Sequence, residues 1–299
     1  MLKQTSKSYI MIISAMLIFG TIGIFRKYIP LSSGMLAFIR GLLGSAFLIL
    51  FVIVKRHKLQ KISARELLLL AVTGVAIGFN WILLFEAYNY TTVATATMCY
   101  YMQPTIVILV SPLVLHERLT LKKFICALTA VAGMFLVSGM IENGGIGIQD
   151  ATGILCGLGA AALYATVIIL NKKIQTEDAY EKTIIQLVSA TVILIPYLLV
   201  AENGFDYEFD PTNIIMVLIV GIVHTGIAYA LYFGSMKALK AQSIAVLSYI
   251  DPVFALILSA VVLQEGMSVF AVVGSVMIID SALVSELNIK KQASRKKSG

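Results

Sequence analysis

Apolar residues run along the chain in long blocks with short polar joints between them, at about 8–25, 32–54, 66–88, 91–115, 120–140, 151–171, 183–201, 212–236, 240–263 and 267–285. A helix needs about 20 predominantly apolar residues to cross the hydrocarbon core of a bilayer. The pattern therefore predicts an all-α integral membrane protein with ten transmembrane helices. The joints are too short to hold a water-soluble domain. Lys3 and Lys7 ahead of the first block give it the look of a secretion signal. The block is longer than a cleaved apolar region and lacks an A-x-A exit, so it reads as a retained first helix.

The blocks also repeat. Shifted by 148 residues, Gln103-Pro104, Ser111, Leu115, Glu117 and Thr120 fall on Asp251-Pro252, Ser259, Leu263, Glu265 and Ser268, and Leu83, Phe85 and Tyr101 fall on Leu231, Phe233 and Tyr249. Duplication divides the chain into a first five-helix repeat at 1–140, a Gly-rich linker at 141–150, a second repeat at 151–285 and a basic tail at 286–299. Five is an odd number, so the second unit enters the membrane from the opposite side. The expectation is two inverted five-helix repeats around a central cavity, with the binding site at the repeat interface.

Composition agrees: of 299 residues, 59% are hydrophobic and 13% charged, against about 25% charged in ordinary soluble domains. The net charge of +7 is unevenly placed. Once the blocks are threaded, twenty of the 23 Lys and Arg residues fall on the side holding both termini, and Arg26 and Lys27 alone lie opposite. The positive-inside rule then places both termini in the cytoplasm, and the expected location is the plasma membrane. No contiguous basic domain survives that partition, so nucleic acid is not expected as a partner. Cys99, Cys126 and Cys156 lie in apolar runs without metal or dithiol spacing and read as small core residues. No metal and no cofactor is expected.

Several residues also carry a resemblance. The Phe19-Gly20 turn with Lys27 ends the first span, Arg40 lies in the second, and Phe85-Glu86-Ala87 closes the third; Pro104 and Leu115 to Thr120 follow, with a second copy from Leu263 to Ser268. In order, spacing and duplication the chain resembles the drug/metabolite transporter superfamily, specifically its EamA-like ten-helix members. The resemblance implies a basket of helices around a substrate cavity, alternating access, and a cargo among amino acids, nucleotide precursors, drugs and other metabolites. Phe19 stands where that family commonly has Trp, and Asp280 where it commonly has a small or apolar residue.

Candidate chemistry is concentrated in few residues. Arg40 lies close to the centre of its span, where a charge costs roughly 2.5 to 3.5 kcal/mol on insertion scales. It reads either as an anion site or counter-ion to Asp251, or as a structural ion pair or hydrogen-bonded packing residue. Asp251 precedes Pro252 as Gln103 precedes Pro104, and a proline within a helix frees a backbone carbonyl. Ser248, Asp251, Ala255 and Ser259 share one helix face, small and polar as a cavity wall would be. His224 is a candidate proton relay or a satisfied buried imidazole. Trp81, Tyr100, Tyr101, Tyr229, Tyr232 and Tyr249 suit either a mostly apolar pocket or the core. The substrate-binding or coupling set is thus Arg40, Trp81, Tyr100, Gln103, His224, Tyr229, Ser248 and Asp251. Pro104 and Pro252 are hinges, and Glu117 and Glu265 caps, each preceding a Thr or Ser that starts the next helix. Gly74-x-x-x-Gly78 and Gly153-x-x-x-Gly157 permit close helix contact, inside the monomer or in a homodimer.

Three function classes compete. A secondary active transporter, an exporter or exchanger with proton coupling as one option, needs only a bilayer and a small-molecule substrate. A membrane enzyme needs a catalytic constellation. His116-Glu117-Arg118-Leu119-Thr120 lacks the second His of a zinc-protease motif, and neither a G-x-S-x-G elbow nor a phosphate loop is present. A receptor or scaffold would need larger soluble segments. No catalytic residue is expected, and the transporter reading leads.

Overall fold

The computed structural model describes residues 2–57, 62–116, 119–142, 147–174, 178–202, 211–236 and 247–297, with positions 145, 239 and 244. Glu117 lies outside the described residues. Those described build helices and connecting turns. The elements are α1 (Leu2–Gly20), α2 (Ile22–Tyr28), α3 (Ser33–Val54), α4 (Ala64–Tyr90), α5 (Val93–Tyr100), α6 (Gln103–Val114) and α7 (Leu121–Val137). Then come α8 (Ile148–Asn171), α9 (Ala179–Ala201), α10 (Pro211–Leu218), a π-helical segment (Ile219–Ile227), α11 (Ala228–Met236), α12 (Ile250–Val261) and α13 (Val269–Lys297). Seven stretches are long and apolar enough to cross a membrane, and Ile250–Val261 and Val269–Ser285 are shorter apolar helices. The protein is a multi-pass membrane protein.

Among the described residues four of the predicted spans are not single α-helices, the ninth turning at Tyr249 ahead of α12. The first breaks at Thr21 between α1 and α2, the fourth at Tyr101-Met102 between α5 and α6, and the eighth passes through the π segment. Pro104 is the second residue of α6 and Pro252 the third of α12, so both prolines open a half-helix rather than interrupt a continuous one. That corrects the expected proline-broken interior. A first-turn proline gives up an N–H that has no intrahelical acceptor in any case. Each half-helix has 12 residues. After α6 comes His116 at φ 54° and after α12 comes Gln264 at φ 53°, a left-handed backbone shared by positions 148 apart. Thr120 and Ser268 then cap α7 and α13, accepting from the N–H of Lys123 and Ala271.

Packing runs mainly between the halves. α4 lies against α8 and α9, α3 against α9 and the π segment, α13 against α7, and α1 against α11 and α12. Small residues set these distances: a Cβ on Gly74 would come within 2.4 Å of the Gln186 carbonyl oxygen, and one on Gly157 within 2.6 Å of the Cys99 Cβ. Both glycine pairs therefore serve contacts inside the monomer. Cys99 and Cys126 are buried, Cys156 is half-buried, and all three are free thiols.

At one end of the bundle, carboxylates from the second half and from the end of the linker hold helix ends of the first. Glu202 takes the Ser32 hydroxyl and the Gly34 N–H at the start of α3. Glu265 takes the Val93 N–H at the start of α5 at 2.8 Å, the Ser259 hydroxyl at 2.5 Å and the Lys27 ammonium at 3.7 Å. Asp150 accepts from Thr91 at 3.0 Å. Glu265 thus caps a helix of the other half rather than the one that follows it, a correction with a simple cause: Ser268 already occupies its own helix start. Arg26, on the side opposite the termini in the threading, is buried and donates to the carbonyls of Ile29 and Leu31 and to Ser33. Asp280 is exposed on α13 and does not face the interior.

At the other end Asp178 caps α9 through the N–H groups of Tyr180 and Glu181 and bonds His57, just past α3. Burial raises the Asp178 carboxyl, but the Glu181 N–H, His57 and the Tyr180 N–H outweigh it and hold it below the usual carboxylate range. A depressed folded-state pKa gives stability that is present above the unfolded value and lost as pH falls through the folded one. Asp178→Ala should cost about 1 kcal/mol at neutral pH. Its deficit against wild type should close as the pH drops below the carboxylate range, followed by thermal unfolding in detergent. A deficit unchanged down to strongly acid pH would remove the cap from this account.

Candidate functional site

The interior is built around Arg40 of α3, 6% exposed in a chain with few buried charges. Its Nε donates to Thr225 Oγ1 at 2.9 Å, and its guanidinium carbon stands 4.4 Å from the centre of the Trp81 ring and 5.9 Å from that of Phe85. A desolvated cation–π contact contributes about 2 kcal/mol and a hydrogen bond to a charged group about 1.5 to 3. Together these are of the size of the insertion cost. Tyr229 faces the guanidinium, and Tyr88, Tyr100 and Asp251 lie within its electrostatic reach.

Thr225 and its neighbour His224 are placed by the π segment. Thr225 donates to the Val220 carbonyl, five residues back, and His224 Nδ1 stands 3.4 Å from the Ile219 carbonyl oxygen, also five back. His224 Nε2 is 2.7 Å from Thr21 Oγ1, at the break between α1 and α2, and its ring packs edge-on to Phe25 at 4.8 Å. His224 is therefore tied to the first span and makes no hydrogen bond with Asp251.

Asp251, in the first turn of α12, accepts a 2.7 Å hydrogen bond from the Tyr101 hydroxyl of the opposite half. Arg40 and Asp251 make no direct ion pair, and of the alternatives for Arg40 the hydrogen-bonded packing residue is the one its contacts match. Each is held by a nearer partner, Thr225 with Trp81 for one and Tyr101 for the other, and their attraction acts across the space between. The Tyr101 ring lies 5.9 Å from Tyr100 and 6.3 Å from Tyr249, and Tyr100 lies 5.8 Å from Tyr164. Tyr229 packs edge-on to Phe19 at 5.5 Å. Asp251, Tyr100, Tyr101, Tyr164 and Tyr229 are half-buried, although they lie deep within the bundle. Gly20 fits against this point: a Cβ there would meet the Asp251 carbonyl oxygen at 2.8 Å.

The remaining expected residues are distributed around this centre. Gln103 lies in the first turn of α6, and its Oε1 is buried without a hydrogen-bond partner. Ser248 donates to the Ile244 carbonyl and so spends its hydroxyl on its own backbone. An apolar groove of about 290 Å³ lined by Leu17, Tyr249, Ile250, Val253, Phe254 and Ile257 runs along α12. A smaller cavity of about 120 Å³, lined by Thr92, Thr95, Glu142 and Ser268 among others, lies at the Glu265 end and away from Asp251.

Residues 6–139 and again 151–286 match the EamA-like transporter family. The chain belongs to that family. An uncharacterized transporter of Bacillus subtilis (strain 168), YxxF, is 31% identical over 277 residues, covering 92% of this chain and 88% of its own. The uncharacterized inner membrane transporter YicL of Salmonella typhimurium (strain LT2) is 23% identical over 303 residues, covering 97% and 98%. A solved crystal structure superposes with a TM-score of 0.65 at 18% identity, covering 96% of this chain and 99% of that one, and shares the fold. Family and relatives alike mark the EamA-like chain as a membrane transporter rather than an enzyme.

Thr225, Thr21 and Tyr101 complete this site and were not singled out as partners from the sequence. Removing Thr225 strands a buried charge, whereas removing the charge strands nothing comparable. Thr225→Val should therefore destabilise the protein by about 1.5 to 3 kcal/mol, and adding Arg40→Met to that variant should restore part of the loss. Thermal unfolding of both variants in detergent measures it. A double variant less stable than Thr225→Val alone would overturn the assignment.

Proposed function

We propose that this EamA-like protein is a secondary active transporter that moves a small organic metabolite, amino-acid-like or drug-like, across the plasma membrane as an exporter or exchanger coupled to protons. The carrying observation is the Tyr101–Asp251 hydrogen bond, which joins the two halves inside a tyrosine-lined interior with Arg40 within electrostatic reach. In this reading the guanidinium, with Nε committed to Thr225, offers its terminal nitrogens to an anionic group of the cargo. The carboxyl takes either a cationic group or a proton, and the aromatic walls take the apolar body. A carboxyl enclosed by protein is a group whose protonation an approaching charge can change.

The reading places ten spans as two inverted five-helix repeats with both termini in the cytoplasm, so that the end holding Lys27, Glu202 and Glu265 is extracellular. The family match to each half supports the duplication, as do the equal half-helices and the left-handed backbone at His116 and Gln264. The twenty-to-two basic asymmetry supports the orientation.

Purified protein in sealed vesicles should take up amino acids or nucleotide precursors when a proton gradient is imposed, without ATP. Asp251→Asn should fold and insert but lose gradient-driven uptake or its pH dependence. Wild-type uptake by that variant across the physiological pH range would reduce Asp251 to a structural role. For topology, single cysteines at Gly144 and Ser294 should react with impermeant thiol reagent in intact cells at Gly144 only. Labelling at Ser294 would reverse the orientation.

A further inference from the structure

We infer that two repeat-related hydrogen bonds, Tyr101 to Asp251 and Tyr249 to Gln103, are made alternately, one in each end state of the transport cycle. The inference rests on the inverted-repeat transporter reading above. Tyr101 and Tyr249 occupy equivalent positions 148 apart, Tyr101 two residues before α6 and Tyr249 one residue before α12, and their rings stand 6.3 Å from each other. Two equivalent residues in contact lie beside the axis that exchanges the halves. Asp251 and Gln103 are likewise equivalent.

The structure contains one of the two equivalent bonds. Tyr101 donates to Asp251 Oδ2 at 2.7 Å, while Gln103 Oε1, the acceptor that the same operation assigns to Tyr249, is buried with no partner. A buried carbonyl without a donor forfeits the hydrogen bond it would make in water. In a bilayer no water is at hand to relieve it. When inverted repeats exchange conformations, each half adopts what the other had. The contact between Tyr101 of the first half and Asp251 of the second becomes a contact between Tyr249 of the second and Gln103 of the first. The unsatisfied amide in this state is the acceptor of the other state.

The exchange also releases Asp251. In the present state, with Glu265 holding Lys27 and the α5 start together, the carboxylate is occupied by Tyr101. In the opposite state the tyrosine leaves and the carboxyl opens to cargo or proton. Gln103 supplies the symmetric bond without a second titratable group. Tyr101, Tyr249 and Gln103 act here as positioning residues.

Paired spin labels on cysteines at Tyr28, 55% exposed at the end of α2, and at Gly266, which has open space around it, report opening of the Glu265 end by pulsed electron resonance in nanodiscs. The native cysteines are replaced first. Tyr101→Phe and Glu265→Gln should shift the population toward longer distances, and Tyr249→Phe and Gln103→Leu toward shorter ones. Opposite shifts by the two tyrosine variants, at least two-fold in population ratio, support the exchange, because loss of packing alone would not give opposite signs. Shifts of the same sign, or a Gln103→Leu distribution identical to that of the parent, would overturn it. Uptake by the same variants in vesicles is scored separately, so absent transport with opposite shifts rejects the cargo reading while keeping the exchange.

Discussion

A helix end buried against protein cannot turn to water for its free amides, so a side chain must answer for them. In this protein part of the answer comes from the other half of the chain, beside local caps such as Ser32 and Thr92. Glu202 serves α3, Glu265 serves α5, and Thr21, at the break in the first span, meets His224 of the π segment. Such bonds do two things together. They satisfy polar groups that packing has closed off from water, and they make the two halves depend on each other for completion.

The same dependence accounts for the interior. A guanidinium cannot stand alone at the centre of a span, and its neighbours are chosen accordingly: a ring face at 4.4 Å, a hydroxyl at 2.9 Å and a phenol beside it. Thr225 reaches α3 because Gly44 there leaves room; a Cβ on Gly44 would come within 2.3 Å of the Thr225 methyl carbon. Nine residues of π-helix then set the phase at which Thr225 and His224 face inward, a local irregularity of the kind that often accompanies function.

Much of this was legible in the sequence, and the division follows physical lines. Block length gives the spans because hydrocarbon thickness fixes it, and the repeat shows because Pro, Ser and Glu recur at one offset in apolar surroundings. Arg40 and Asp251 stood out because a midplane charge is expensive. What did not show was which partner each would take. Thr225, Tyr101 and Thr21 are ordinary residues in composition, and only the packing of distant helices brings them to Arg40, Asp251 and His224. The π segment was equally hidden, since a one-residue change in turn closure leaves hydrophobic content unchanged. Glu265 was read by proximity in sequence to the following helix, whereas its amide partner is Val93, on a helix 172 residues away.

Unequal partners at equivalent positions bear on stoichiometry. Gln103 and Asp251 descend, in a duplicated chain, to the same place on either side of the tyrosine pair, yet only one of them can carry a proton. Two carboxyls there would titrate as a coupled pair and load their protons in separate steps. In the proton-coupled reading proposed above, a single carboxyl sets a ceiling of one proton per turnover at this point. If the returning cargo is a monovalent cation that displaces that proton, the exchange moves no net charge, and the membrane voltage has nothing to pull on.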